Sequence, residues 1–80
     1  MPRPRTVDVL AEMVANVLTV AVGTGDPVAV GDTVVLLESM KMEIPVLAEV
    51  AGVVSEILVS VGDVVNDGDP LVAITPTQQR

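Results

Sequence analysis

An all-β architecture is what this 80-residue chain predicts, and three features carry that reading. Half of the residues are apolar and 19 of them are Val, a β-branched side chain that is stiff at χ1 and packs well on a pleated surface. Four Gly-Asp dipeptides stand at Gly25-Asp26, Gly31-Asp32, Gly62-Asp63 and Gly68-Asp69, so one pair of turns recurs after 37 residues. The apolar runs set off by these turns are at most seven residues long. Such runs are too short for independent helices, and a compact barrel or two-sheet sandwich filled with Val and Leu results.

The elements follow from those turns, because Gly supplies the positive φ of a tight connection and Asp bonds the neighbouring backbone. Val7–Leu10 is read as the first strand, although Val7 to Ala15 contains Leu, Ala, Glu and Met and also suits a helix. The repeat decides for strand, since its image around Ala51 to Val59 is rich in Val and carries Gly52. Val17–Val22 and Val28–Val30 flank the first Gly-Asp, and Val34–Glu38 follows the second. Met42–Ala48 comes next, with Pro45 marking an edge position that lacks a ladder donor. Val53–Val59, Val64–Val65 and Leu71–Ile74 then repeat the series around the second pair of turns. Val20-Ala21-Val22 matches Ile57-Leu58-Val59, Val34 to Leu37 matches Leu71 to Ile74, and Glu12 matches Glu49. Two intertwined β units related by a pseudo-twofold are predicted, so residues 12–37 and 49–74 are expected to superpose.

One domain fills this length: residues 6–76 form it, with disordered tails expected at 1–5 and 77–80. The absence of Cys, His, Phe, Trp and Tyr removes disulfides, structural zinc, a thiol nucleophile and an imidazole base. A formal charge of −7 opposes binding to a phosphate backbone, so nucleic acid is not an expected partner. No apolar run reaches membrane-spanning length and no secretory signal is read, which leaves the cytoplasm as the expected compartment and no membrane partner. Once the core is filled, so small a domain is expected to leave little volume for a ligand pocket and to act through its surface.

Lys41 is the single lysine, within Glu38-Ser39-Met40-Lys41-Met42-Glu43. A shift of 37 carries it onto residues 4 and 78, so a pseudo-twofold sets its turn at the opposite end of the domain from both termini. The connection between Val34–Glu38 and Met42–Ala48 is very short and contains no Gly, Asn or Asp, although two-residue hairpins favour those residues. A broken local rule in a chain that obeys it at four other turns marks function. Met40 and Met42 add apolar thioethers at an expected exposed tip, where flexibility suits a surface gripped by several partners. The plainer alternative is a solvated lysine, with both methionines folded back on the barrel.

The run Glu38-Ser39-Met40-Lys41-Met42 resembles the Glu-Ala-Met-Lys-Met motif of the biotinyl/lipoyl attachment family, specifically its biotin carboxyl carriers, with Ser39 in place of Ala. The likeness runs from about Val7 to Ile74, through the Gly-Asp turns and Ala48 to Gly52-Val53-Val54. It implies a flattened barrel of two four-stranded antiparallel sheets with the modified lysine on a hairpin. It also implies covalent biotin on Lys41, added by a biotin protein ligase, with biotin carboxylase and carboxyltransferase subunits as partners. The domain itself is then a non-catalytic carrier, expected to be a monomer when isolated. Met40 and Met42 are implied recognition contacts, and Glu38 and Glu43 are further candidates that orient partners electrostatically.

Two departures from the family pattern stand out. Its Pro-Met-Pro-Gly appears here as Glu12-Met13-Val14-Ala15, and Val22-Gly23-Thr24-Gly25 is too short for the protruding thumb of some bacterial carriers. With no Ala/Pro-rich linker and no fused carboxylase read, the expectation is a free-standing, thumbless carrier. Lipoyl carriers share the fold but usually show Asp-Lys-Ala at the place of Met40-Lys41-Met42, and an unmodified module like the hybrid domains of membrane-fusion proteins needs no lysine. Asn66-Asp67-Gly68-Asp69 lacks the spacing and terminal Glu of a calcium loop, and Gly23-Thr24-Gly25 lacks the ending of a phosphate loop. Both are read as turns, and Met13 as core packing.

Overall fold

In the computed structural model, which describes residues 6–77, eight strands follow one another without a helix. They are β1 (Val7–Leu10), β2 (Ala15–Val20), β3 (Pro27–Val28), β4 (Thr33–Ser39), β5 (Met42–Leu47), β6 (Gly52–Ile57), β7 (Val64–Val65) and β8 (Pro70–Pro76). Two four-stranded antiparallel sheets result, ordered β1-β8-β6-β3 and β5-β4-β2-β7. Each sheet takes two strands from each half of the chain. Neither half therefore has a complete sheet of its own, and the predicted intertwining is the source of the cohesion.

The 37-residue shift holds at the level of single hydrogen bonds. It carries β2 onto β6, β3 onto β7 and β4 onto β8, residue for residue, and β1 onto Ile44–Leu47 within β5. The bulge at Val17/Thr19 against β4 recurs at Val54/Glu56 against β8. Each Gly-Asp turn also reaches into the other half. Gly25 N–H donates to the Val54 carbonyl (2.7 Å) and Gly62 N–H to the Val17 carbonyl (2.9 Å). Gly31 and Gly68 likewise donate to Ala48 and Ala11. Within the turns, the Asp26, Asp32, Asp63 and Asp69 carboxylates accept the N–H groups of Gly23, Ala29, Ser60 and Asn66 at 2.8 to 2.9 Å. The four glycines sit at φ of 93 to 95°, where a side chain is strained.

The core lies between the sheets and pairs the halves again: Val17 with Val54, Val28 with Val65, Val34 with Leu71, Val35 with Val72 and Leu37 with Ile74, all buried. No polar side chain is buried among the described residues. Met13 is half-buried and packs on this cluster, as expected. At Gly52 the pairing changes from its image Ala15 for a steric reason. A Cβ there would collide with the Thr75 carbonyl oxygen and stand 2.8 Å from Pro76 Cα.

Some expected boundaries need correction. β2 and β6 begin earlier and end two residues sooner than Val17–Val22 and Val53–Val59. Ala21 and Leu58 still donate to the carbonyls of Val34 and Leu71, after which the chain swings toward the Gly-Asp turn and the opposite sheet. Ala29 and Val30 leave β3 because they belong to the turn capped by Asp32. β1 corresponds to part of β5, not to the stretch around Ala51 to Val59. Pro45 does lie on an edge strand, opposite Leu36. The expectation of little open volume is corrected as well, since a surface groove of about 680 Å³ separates β1 from β5, lined in part by Leu10, Ile44 and Leu47. Of the expected tails, residues 1–5 and 78–80 lie outside the described residues, while Thr77 N–H donates to the Ala51 carbonyl.

Candidate functional site: the lysine hairpin

β4 is a central strand held by β2 on one side and β5 on the other, with Val34, Val35 and Leu37 buried beneath it. This anchorage carries the β4–β5 hairpin out to a two-residue tip. Ser39 pairs with Met42, Glu38 with Glu43 and Leu37 with Ile44, leaving Met40 and Lys41 to make the reversal. Both adopt positive φ, 54° and 66°, the signature of a type I′ turn. They are the two non-glycine residues with positive φ among those described. Placing side-chain-bearing residues there costs on the order of 1 kcal/mol each, which the ladder below the tip must offset.

The tip is open to solvent. Met40 is 91% exposed, Met42 is 64% exposed and Lys41 is exposed between them. The alternative in which the methionines fold back on the barrel is thus overturned, and their apolar surface points outward. Glu38 is half-buried and Glu43 exposed, and as directly opposed partners they set two carboxylates one step below the tip. Like charges so placed repel. Beside the hairpin is a shallow notch of about 270 Å³, to which Val14, Asn16, Glu38, Lys41 and Val64 contribute. The motif reading named the hairpin residues and missed Val14, Asn16 and Val64. Comparing the two halves position by position is the signal that finds Val14 and Val64, whose images are Ala51 and Pro27.

Topology also fixes where this tip stands relative to the end of the chain. β2 starts beside the hairpin, with Asn16 opposite Glu38, and its far end leads through Gly25-Asp26 onto Val53 and Val54 of β6. There Gly52 pairs with Pro76, as β8 runs out. The lysine and the last strand's exit occupy opposite ends of the two-sheet body, as the repeat predicts. No group of three or more His, Cys, Asp or Glu side chains able to hold a metal occurs among the described residues. What the arrangement offers chemically is one primary amine, four methylenes from a firmly held backbone.

A Biotinylated protein TB7.3 homolog from Mycolicibacterium smegmatis is 68% identical over 38 residues, 48% of this chain and 54% of that protein. The match thus spans about half the length of that curated relative. A single-chain, multi-domain long-chain acyl-CoA carboxylase superposes on 99% of this chain with a TM-score of 0.86 and 33% identity, using 8% of its own length. The lipoyl domain of the 2-oxoglutarate dehydrogenase complex from Azotobacter vinelandii aligns less closely, with a TM-score of 0.69 and 32% identity, over 81% of this chain and 82% of its own. The model of the biotin/lipoyl family, described as "Biotin-requiring enzyme", matches residues 6–74, and with two sheets, Gly-Asp turns and an exposed hairpin lysine in the same span, this chain belongs to that family.

Proposed function

We propose that this protein is a biotin carboxyl carrier in which Lys41 holds biotin as an amide and carries carboxylate from a biotin carboxylase to a carboxyltransferase. The observation that carries the reading is the exposed amine at a type I′ tip between two outward methionines. Support comes from a relative named as biotinylated and from a carboxylase chain with a matching domain. The residues fit the attached group, because Lys41 extends from a tip with nothing enclosing it.

Attachment requires the Lys41 ammonium to lose a proton, after which the amine attacks the acyl carbon of biotinyl-adenylate, the C–N bond forms and AMP leaves. The ligase must supply that activation, since the domain offers no His or Cys and no metal cluster among its described residues. Attached biotin supplies a ureido nitrogen that accepts and releases carboxylate. Lys41 tethers it, the rigid hairpin directs it outward, and tethering raises its local concentration at each partner without a new contact. Met40 and Met42 serve as grips, and Glu38 and Glu43 orient basic partner surfaces.

Intact mass after co-expression with a biotin protein ligase tests the reading. One biotinyl amide per chain is expected, and one lipoyl amide or an unmodified mass overturns it. Lys41→Arg is expected to fold with an unchanged melting temperature and to give no streptavidin signal, since guanidinium keeps the charge but is a poor nucleophile. A signal on that variant would place the modification elsewhere on the chain.

A further inference from the structure

The pseudo-twofold gives the lysine end an internal control: apart from Lys41 and Met42, positions there have images among the described residues of the other end, and the Gly-Asp turns recur at both ends with the same geometry. Three exposed valines stand at the hairpin's end of the body, Val14 and Val64 of them in the notch beside Lys41. Val14 precedes β2 and is 60% exposed, Val61 lies in the Ser60–Asp63 turn at 65%, and Val64 is on β7, opposite Asn16, at 66%. The Ser60–Asp63 turn belongs to this end because Gly62 N–H donates to Val17 beside Asn16. Their images are Ala51, Thr24 and Pro27, and the image of Met40 is Thr77. Glu38 and Glu43 correspond to Thr75 and Thr6. Two pairs run the other way, Val53 against Asn16 and Val30 against Asp67. The scaffold folds at its far end without the larger apolar side chains or the opposed carboxylates, so folding does not require them at the lysine end.

We infer that Val14, Val61 and Val64 join Met40 and Met42 in an apolar collar that docks the ligase acylating Lys41, with Glu38 and Glu43 meeting a basic residue on that ligase. The inference rests on the carrier reading and names its recognition surface. The ligase is the partner that needs direct contact. Before modification the amine stands four methylenes from the tip, so the ligase must seat against the domain to reach it, whereas later partners meet the cofactor at the end of a long arm. Among the described residues Lys41 is the sole cation, so around the lysine itself the described residues of the collar offer apolar surface and negative charge. An apolar rim with a basic contact is its complement.

The test trims the collar's apolar surface toward the small and polar residues of the far end. In steady-state ligation of the full chain by a purified bacterial biotin protein ligase with ATP and biotin, Val14→Ala, Val61→Thr and Val64→Thr combined are expected to raise KM for the carrier about tenfold with kcat held. Glu43→Thr alone is expected to raise KM about threefold, an increase that added salt reproduces in the parent chain. Val53→Asn, which trims apolar surface at the far end, is expected to leave both constants unchanged. Circular dichroism confirms folding, and if the triple variant melts, Val61→Thr on its exposed turn gives the decisive KM. A parent chain that takes biotin alongside a triple or Val61→Thr variant with parental kcat/KM overturns the collar alone. A parent chain that takes no biotin overturns the carrier reading and the collar together.

Discussion

Five tight turns reverse this chain by two different means, and the contrast separates scaffold from function. At the four Gly-Asp turns the backbone reaches positive φ on a glycine, and an aspartate accepts the N–H three residues earlier. Local chemistry and local geometry agree there. At the fifth, Met40 and Lys41 take positive φ themselves, no side chain caps the turn, and two carboxylates oppose each other just below. The ladder imposes that turn against local preference. The proposed carrier role gains from such a tip, because glycine would soften the support on which the amine stands.

The largest effect that tests this contrast is expected at the glycines. Gly62→Ala has space for its methyl group, with nothing within 4 Å, but meets the strain of a φ of +95°. A loss of about 1 to 2 kcal/mol is expected on urea unfolding. Gly25→Ala, at the equivalent turn, is expected to lose the same within error. Unequal losses would show that the halves carry unequal loads despite matching hydrogen bonds.

A smaller effect isolates the capping half of the device. Asp32→Ala removes the acceptor for Ala29 N–H while leaving Gly31 and its φ untouched. About 1 kcal/mol of stability is expected to go, as for other lost side-chain caps of backbone donors. An unchanged midpoint would mean that water replaces the carboxylate at no cost, leaving glycine as the turn's entire chemistry.

Much of this contrast is legible in the amino-acid sequence. The Gly-Asp spacing discloses the repeat, and the uncapped Met40-Lys41 stands out against it. Strand limits were harder to read, because Val fills core positions such as Val17 and Val54 and exposed positions such as Val14, Val61 and Val64 alike. A valine-rich run therefore shows no alternation to mark where a ladder ends, and Ala21 and Leu58 keep one hydrogen bond after their strands have finished. The partition of strands between sheets depends on bonds such as Gly25 to Val54, between residues distant in the chain. Val14, Val61 and Val64 are indistinguishable from core valines in the sequence for the same reason, since their exposure follows from how the strands pair.

The smallest effect bears on the tip itself. Asn is favoured at the first central position of a type I′ turn because its short side chain tolerates left-handed backbone, so Met40→Asn is expected to relieve strain at a φ of 54°. Met40 is 91% exposed, so little packing is lost with it. A gain of about 0.5 kcal/mol is expected in urea unfolding, together with slower ligation of Lys41. Opposite signs for stability and labelling are the outcome specific to a turn residue kept for recognition. If Met40→Asn instead lowers stability and labelling together, Met40 supports the hairpin, and its place at the fifth turn is structural.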